Sequence, residues 1–160
     1  MSQIDPLKLD LLVFKDFLRM KKSKILIGVR KETTNKNDAS VYVADYARVN
    51  EFGSFSKKIP ARPFLRTAFD NYYEELERSF VTIFRNVLLG KLKKVNALGM
   101  LGLKMVAVVR KNIVNGDWKP NAPSVYKAKM RKGKGKSGSP KPLIDTSTML
   151  NSITHKVEDK

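Results

Sequence analysis

Two apolar stripes at helical spacing limit what this chain can become. Leu65, Ala68-Phe69, Tyr72-Tyr73, Leu76, Phe80, Ile83-Phe84 and Val87 form the first. Val95, Leu98, Gly102, Met105-Val106, Val109 and Ile113 form the second. Side chains that recur every three or four positions share a face only in a helix. The spacing therefore predicts one helix that opens at Pro63 and closes at Gly90, and another from about Leu92 to Asn115 that closes at Gly116. Glu74 and Arg78 make a favourable i,i+4 pair on the polar side of the first. Lys93, Lys104 and Lys111 line the polar side of the second, where a solvated face is the plain reading. Gly99 and Gly102 weaken that helix by about 1 kcal/mol each relative to alanine, which predicts close approach by another backbone.

Shorter elements flank these two. Asp5-Pro6 is a helix start, and Leu7, Leu11, Phe14 and Phe17-Leu18 continue it to about Met20. Residues 24–29, KILIGV, are short and β-branched and predict a strand. Residues 30–40 lack an apolar period and read as a loop. A helix over 41–52 is expected to start from an Asp38 or Ser40 cap and to stop at a left-handed Gly53. Near the C-terminus, Asp145 or Thr146 caps one or two helical turns, and alternation through Ile153 and Val157 predicts a terminal strand. The expected class is α+β, a single domain over 1–160 with long helices packed against a small, mainly antiparallel sheet.

Between the helices lies an unusually stiff connection, NEFGSFSKKIPARPFLRTAFD over 50–70. Gly53 ends one helix, Pro60 and Pro63 restrict the loop, and Pro63 starts the next helix. Arg62 is expected at the tip, where its planar donor fork suits a carboxylate or carbonyls of an adjacent subunit. The alternative is that Arg62 packs against its own helices. On the interface reading, Phe52, Gly53, Pro60, Arg62, Pro63 and Phe64 contact a neighbour. Trp118, in a Gly-Asp-Trp-Lys-Pro turn, is a further candidate anchor.

Charge is the loudest feature of the composition. Lys and Arg number 32 against 15 Asp and Glu, a formal net charge of +17. Residues 1–90 carry 16 basic and 11 acidic groups, whereas residues 91–160 carry 16 and 4. Such an excess calls for a polyanionic or acidic partner, either nucleic acid or an acidic protein surface, and charge alone does not choose. Between Lys119 and Lys141 there are eight basic residues and no acidic one. With its interspersed glycines this stretch reads as a flexible basic loop rather than a folded element. Lys127, Lys129, Arg131, Lys132, Lys134 and Lys136, together with Lys93, Lys104 and Lys111, are the candidate contacts to a DNA channel or an acidic partner.

Enzymatic constellations are poorly supported. No cysteine is present, which removes disulfides, thiol nucleophiles and thiolate metal sites. The Gly135-Lys136-Ser137 triplet copies the end of a phosphate loop, but the first glycine of that motif should stand where Met130 is. His155 is the sole histidine, with only Asp145, Glu158 and Asp159 within the last quarter as partners, and reads as surface decoration. No catalytic residue, cofactor or metal is expected. Residues 95–109 are too short and too interrupted to span a bilayer, and the first five residues lack a signal-peptide layout, so no membrane role is expected.

Three segments taken together carry a resemblance: VADYARVNEFGS with IPARPFLRTAFD, then GDWKPNAPSVYKAKM, then KPLIDTSTMLNSITHKV. Their order resembles the tail-completion, or virion-morphogenesis, proteins of tailed bacteriophages, over roughly residues 41–157. The family usually reads Asp-Thr-Gly where this chain has Asp145-Thr146-Ser147, and serine does not take a positive φ easily. The resemblance implies a non-enzymatic virion subunit at the neck or the head-proximal tail end, made in the host cytoplasm. It also implies a hexameric ring around the DNA channel, with the head–tail connector and the tail-tube or tail-terminator proteins as neighbours and non-specific contact with double-stranded DNA. The rival expectation is a nucleic-acid-binding module that uses 119–141 as a basic arm.

Overall fold

The computed structural model describes residues 22–30, 32–34, 40–131, 141–144 and 147–158. Among them the elements run β1 (Lys24–Val29), α1 (Val43–Phe52), α2 (Arg66–Asn71), α3 (Tyr73–Leu88), α4 (Lys94–Asn115), α5 (Pro123–Arg131), α6 (Thr148–Ser152) and β2 (Ile153–Glu158). The two strands pair antiparallel as one small sheet, so the class is α+β with long helices against a small sheet. The expected helix over 5–20 and the Asp145 or Thr146 cap lie outside the described residues.

Described residues group into two compact units, built from separated stretches of chain. One holds residues up to 27, 72–106 and those from 155 on; the other holds 28–71 and 107–154. In the first, α3 and the opening turns of α4 are joined by a tight turn at Gly90. Gly90 takes φ 66° and donates its N–H to the Val87 carbonyl, while the N–H groups of Lys91 and Leu92 both reach the Asn86 carbonyl. That positive φ ends α3 where the sequence placed its stop. Ile83, Val87, Ala97 and Leu101 make the core, with Ile25 and Leu92 packed on it. Val95, expected on the buried stripe, is 73% exposed. The buried arc of α4 instead runs through Ala97, Leu98, Leu101 and Val106.

Close approach at Gly102 does occur, but to a side chain rather than a backbone. A Cβ there would overlap the His155 imidazole, which β2 lays against the helix, whereas Gly99 has open space around its α-carbon. His155 is thus half-buried packing, not surface decoration.

The second unit gathers α1, α2, the last turns of α4, α5 and α6. Val43, Phe64, Ala68, Val108, Val109 and Ile113 are its most deeply buried apolar residues. Asn112 lies among them, 1% exposed, and every part of its amide is used. Its Nδ2 donates to the Phe64 carbonyl and to Thr67 Oγ1, each at 2.9 Å, and its Oδ1 accepts from Asn71 Nδ2 at 3.1 Å. A buried amide left unbonded would cost several kcal/mol, so this network fixes α2 on α4 in one register.

Three sequence expectations need correction here. The long helix from Pro63 to Gly90 is two helices, because Tyr72 leaves helical geometry at φ −121° and ψ 24°. The break coincides with the boundary between the units, and the stripe splits with it: Ala68 is buried in one core and Ile83 and Val87 in the other, while Tyr73 and Phe80 are exposed. Tyr42, not Ser40, stands at the start of α1, and Asp38 lies outside the described residues. A bridge between Thr34 and Tyr42 and the 2.8 Å bond from Val43 N to the Thr33 carbonyl replace a side-chain cap.

The third correction concerns residues 123–131 of the basic stretch, which are helical. Pro123 stands at the first position, KAKMR supplies good helix formers, and Lys129 and Arg131 complement the negative end of the helix dipole. The glycines that made the whole stretch read as loop belong to 132–140, outside the described residues.

Ser147 begins α6 in the left-handed region, at φ 58° and ψ 8°. A left-handed conformation costs an L-residue roughly 1–2 kcal/mol, and glycine gives part of that back as unfolded-state entropy. Ser147→Gly should therefore raise stability by about 1 kcal/mol, read as a higher urea midpoint at unchanged slope. Gly102→Ala should lower it by about 2 kcal/mol through overlap with His155, read as a fall in melting temperature.

Candidate interaction site: a braced hairpin between two helices

α1 stops because the next backbone conformation is open only to glycine. Gly53 takes φ 76° with ψ 178°, an extended positive-φ geometry rather than the left-handed helical cap expected. A Cβ there would stand 2.8 Å from Ala61 N and 3.0 Å from the Ile59 carbonyl oxygen. The returning strand thus crosses directly beneath the helix end.

From Gly53 the chain makes a tight hairpin. Ser54 and Ile59 exchange both backbone hydrogen bonds at 2.9 Å, and Phe55-Ser56-Lys57-Lys58 form the turn. Lys58 takes φ 50°, and its N–H closes on the Phe55 carbonyl. Phe55 at the tip is 102% exposed, and Phe52 at the base is 71% exposed. Leaving two phenyl rings in water forgoes about 1.5–3 kcal/mol of burial each, which is the usual mark of a surface meant to be covered.

Arg62 holds the base of this hairpin. It is 5% exposed, and its guanidinium is spent inside the chain. Nε donates to the Lys119 carbonyl at 2.8 Å and Nη2 to the Pro120 carbonyl at 3.0 Å. Longer contacts run from Nη1 to Asn50 Oδ1 (3.3 Å) and from Nη2 to Asn121 Oδ1 (3.4 Å). Burial pushes its pKa below the ordinary arginine value, and the carbonyl acceptors keep the cation solvated by protein in place of water. Arg62 is therefore not at an exposed tip; it packs against its own chain. Its N–H also donates to the Asn50 carbonyl at 2.6 Å.

Glu51 makes the second brace. Its carboxylate, 5% exposed, accepts from Leu65 N at 2.8 Å and from Arg66 N at 3.2 Å. The last turn of α1 thereby caps the free N–H groups at the start of α2. Pro63 does begin that turn, since Thr67 N bonds its carbonyl at 3.0 Å. Phe64, expected at an interface, is 0% exposed and belongs to the core. Pro60, Pro63 and Gly53 are half-buried.

Trp118 supplies the opposite jaw. Its indole Nε1 donates to the Ile113 carbonyl at 3.1 Å, and the ring covers Gly116 so closely that a Cβ would overlap it. The fold uses Trp118 to turn the chain at the end of α4, which places the carbonyls of 119 and 120 on Arg62. It is a half-buried internal strap, so the anchor reading is not where its ring goes.

The basic candidates divide. Lys93, Lys111, Lys127 and Arg131 are exposed. Lys104 Nζ pairs with Glu75 Oε1 at 2.8 Å. Lys129 is 9% exposed and donates to the Lys141 and Ile144 carbonyls at 3.0 and 2.6 Å, so it faces neither channel nor partner. Lys132, Lys134, Lys136, Asp145 and Thr146 lie outside the described residues. Among the described residues no group of three His, Cys, Asp or Glu side chains is placed to hold a metal. No described helix is long and apolar enough to cross a membrane.

Sequence reasoning missed Phe55, Glu51 and Asn50. A lone aromatic inside Ser-Phe-Ser-Lys-Lys was the available sign for the first. Glu51 and Asn50 carried no sign, because their partners are met only once the chain has turned back through the hairpin.

Arg62→Lys removes the fork that spans these acceptors and should cost about 2–3 kcal/mol. Phe55→Ser should change stability by less than about 0.5 kcal/mol. The single tryptophan, Trp118, reports both through its fluorescence in urea. Compared with protein-family models, curated proteins and solved structures, the chain matches none of them.

Proposed function

We propose that this chain is a structural, non-catalytic subunit of a tailed-phage virion. It acts at the neck or the head-proximal end of the tail and assembles as a closed ring, hexameric by analogy with the family it resembles, around the DNA channel. The observation that carries this reading is the braced hairpin. Arg62 and Glu51 brace its base, and it leaves two phenyl rings bare, Phe55 at the tip and Phe52 below. A loop already fixed in its bound shape loses little entropy on docking, and exposed aromatics are the residues that most often dominate an interface. The segments that carry the family resemblance include both jaws of the clamp, 50–54 with 59–66 and 116–121, but not the turn at 55–58.

Neighbours on this reading are copies of the chain, the head–tail connector, and the tail-tube or tail-terminator protein. The net charge of +17 fits a ring through which a polyanion passes. The DNA contact is non-specific, made by exposed cations such as Lys127 and Arg131 of α5.

Electron microscopy of particles should place the chain at the junction of head and tail, and a deletion should yield unjoined heads and tails. The combined variant Phe52→Ser/Phe55→Ser should fold yet be left out of the particle. Complete, infectious particles from the deletion would overturn the proposal. Tight DNA binding by the isolated protein, with a steep loss as salt rises, would favour the basic-arm rival instead.

A further inference from the structure

The outward side of α3 is a second surface of unusual composition. Tyr73, Phe80 and Val81 are 63%, 48% and 58% exposed, and the Phe80 and Phe84 rings stack with centroids 5.5 Å apart. At about 100° per residue, positions 73, 74, 77, 80, 81 and 84 fall within roughly a third of the helix circumference. Glu74 and Glu77 are therefore set into this apolar face, and both are exposed. In a chain of net charge +17, this face carries two acidic groups and no basic one, with Arg78 at its edge.

Its complement is the hairpin. The tip presents Phe55 beside Lys57 and Lys58, all exposed, with Phe52 below, and no acidic residue lies between Glu51 and Asp70. One surface is aromatic and positive, the other aromatic and negative. Hairpin against hairpin would set lysines against lysines, and α3 against α3 would set carboxylates together, both unfavourable. Hairpin against α3 pairs the charges and lets Phe52 and Phe55 cover Tyr73, Phe80 and Val81.

We propose that the hairpin tip of one copy docks on the outward face of α3 of the next copy. The inference rests on the ring assembly proposed above and supplies its contact. Two different patches meeting head to tail make a heterologous interface, the kind that closes into a ring by rotation.

The absence of cysteine makes the test clean. Ser56→Cys at the tip and Val81→Cys on α3 are prepared as separate proteins, mixed, and treated with a short bismaleimide. The 56–81 dimer should predominate over the 56–56 and 81–81 dimers. Adding Lys57→Glu to the first protein should lower its yield about tenfold, and adding Glu77→Lys to the second should restore it. Circular dichroism of each variant confirms that the fold is kept. Equal yields of the three dimers, or no mixed dimer, would each overturn the inference. If the mixed dimer fails while the protein is found in particles, this contact alone falls. If the protein is absent from particles, the proposed function falls.

Discussion

The clamp around Arg62 is the interaction on which the rest of the second unit is arranged. A guanidinium offers its donors in a flat fork, and here they span oxygens from two parts of the chain: Asn50 in α1, and Lys119, Pro120 and Asn121 beyond α4. No lysine has that reach or that planarity. The segment from Gly53 to Pro63 has no core of its own, so its geometry depends on this tie at its foot. With the foot fixed, the hairpin above is set by two backbone bonds and one glycine. The exposed aromatics then occur on a support that does not need them for its own stability.

The same unit relies on polar groups placed where water does not reach. Glu51 closes the N-terminus of α2, and Asn112 ties α2 to α4 through two hydrogen bonds and holds the Phe64 carbonyl just before it with a third. Apolar packing alone would hold these helices together but would tolerate a slide by part of a turn. Directional bonds do not. That distinction matters for a loop whose value lies in where its tip points. In the other unit, precision comes from shape: an imidazole seated on a glycine where no methyl group fits.

Much of the architecture was legible in the residues. β1, the terminal helix–strand pair, α4 and the stops at Gly53 and Gly90 follow from periodicity and punctuation, which are local. What escaped was set by distant partners or by averaging. The stripe from Leu65 to Val87 gave no sign of a break at Tyr72, because the two halves bury against different cores. Helix α5 was hidden by the glycines that follow it. Arg62 is not at the exposed tip expected of it, since its two shortest guanidinium bonds go to the backbone carbonyls of Lys119 and Pro120, 57 and 58 positions away. Phe64 and Trp118 went the same way, into the interior. Ser147 shows the opposite case, a residue type unsuited to positive φ that nevertheless adopts it.

Several cations of this chain are turned toward its own carbonyls. Lys129 and Lys141 anchor the two ends of the stretch between them, Lys129 on the carbonyls of 141 and 144 and Lys141 on that of Val114. Arg110 reaches the carbonyls of 151 and 153. Such groups keep their charge and so still contribute to the long-range field, but part of their hydrogen-bonding capacity is already spent inside the chain. Diffusional capture by a polyanion and grip once captured are thereby separated in this molecule: the first draws on the whole formal charge, the second on a smaller set of lysines and arginines.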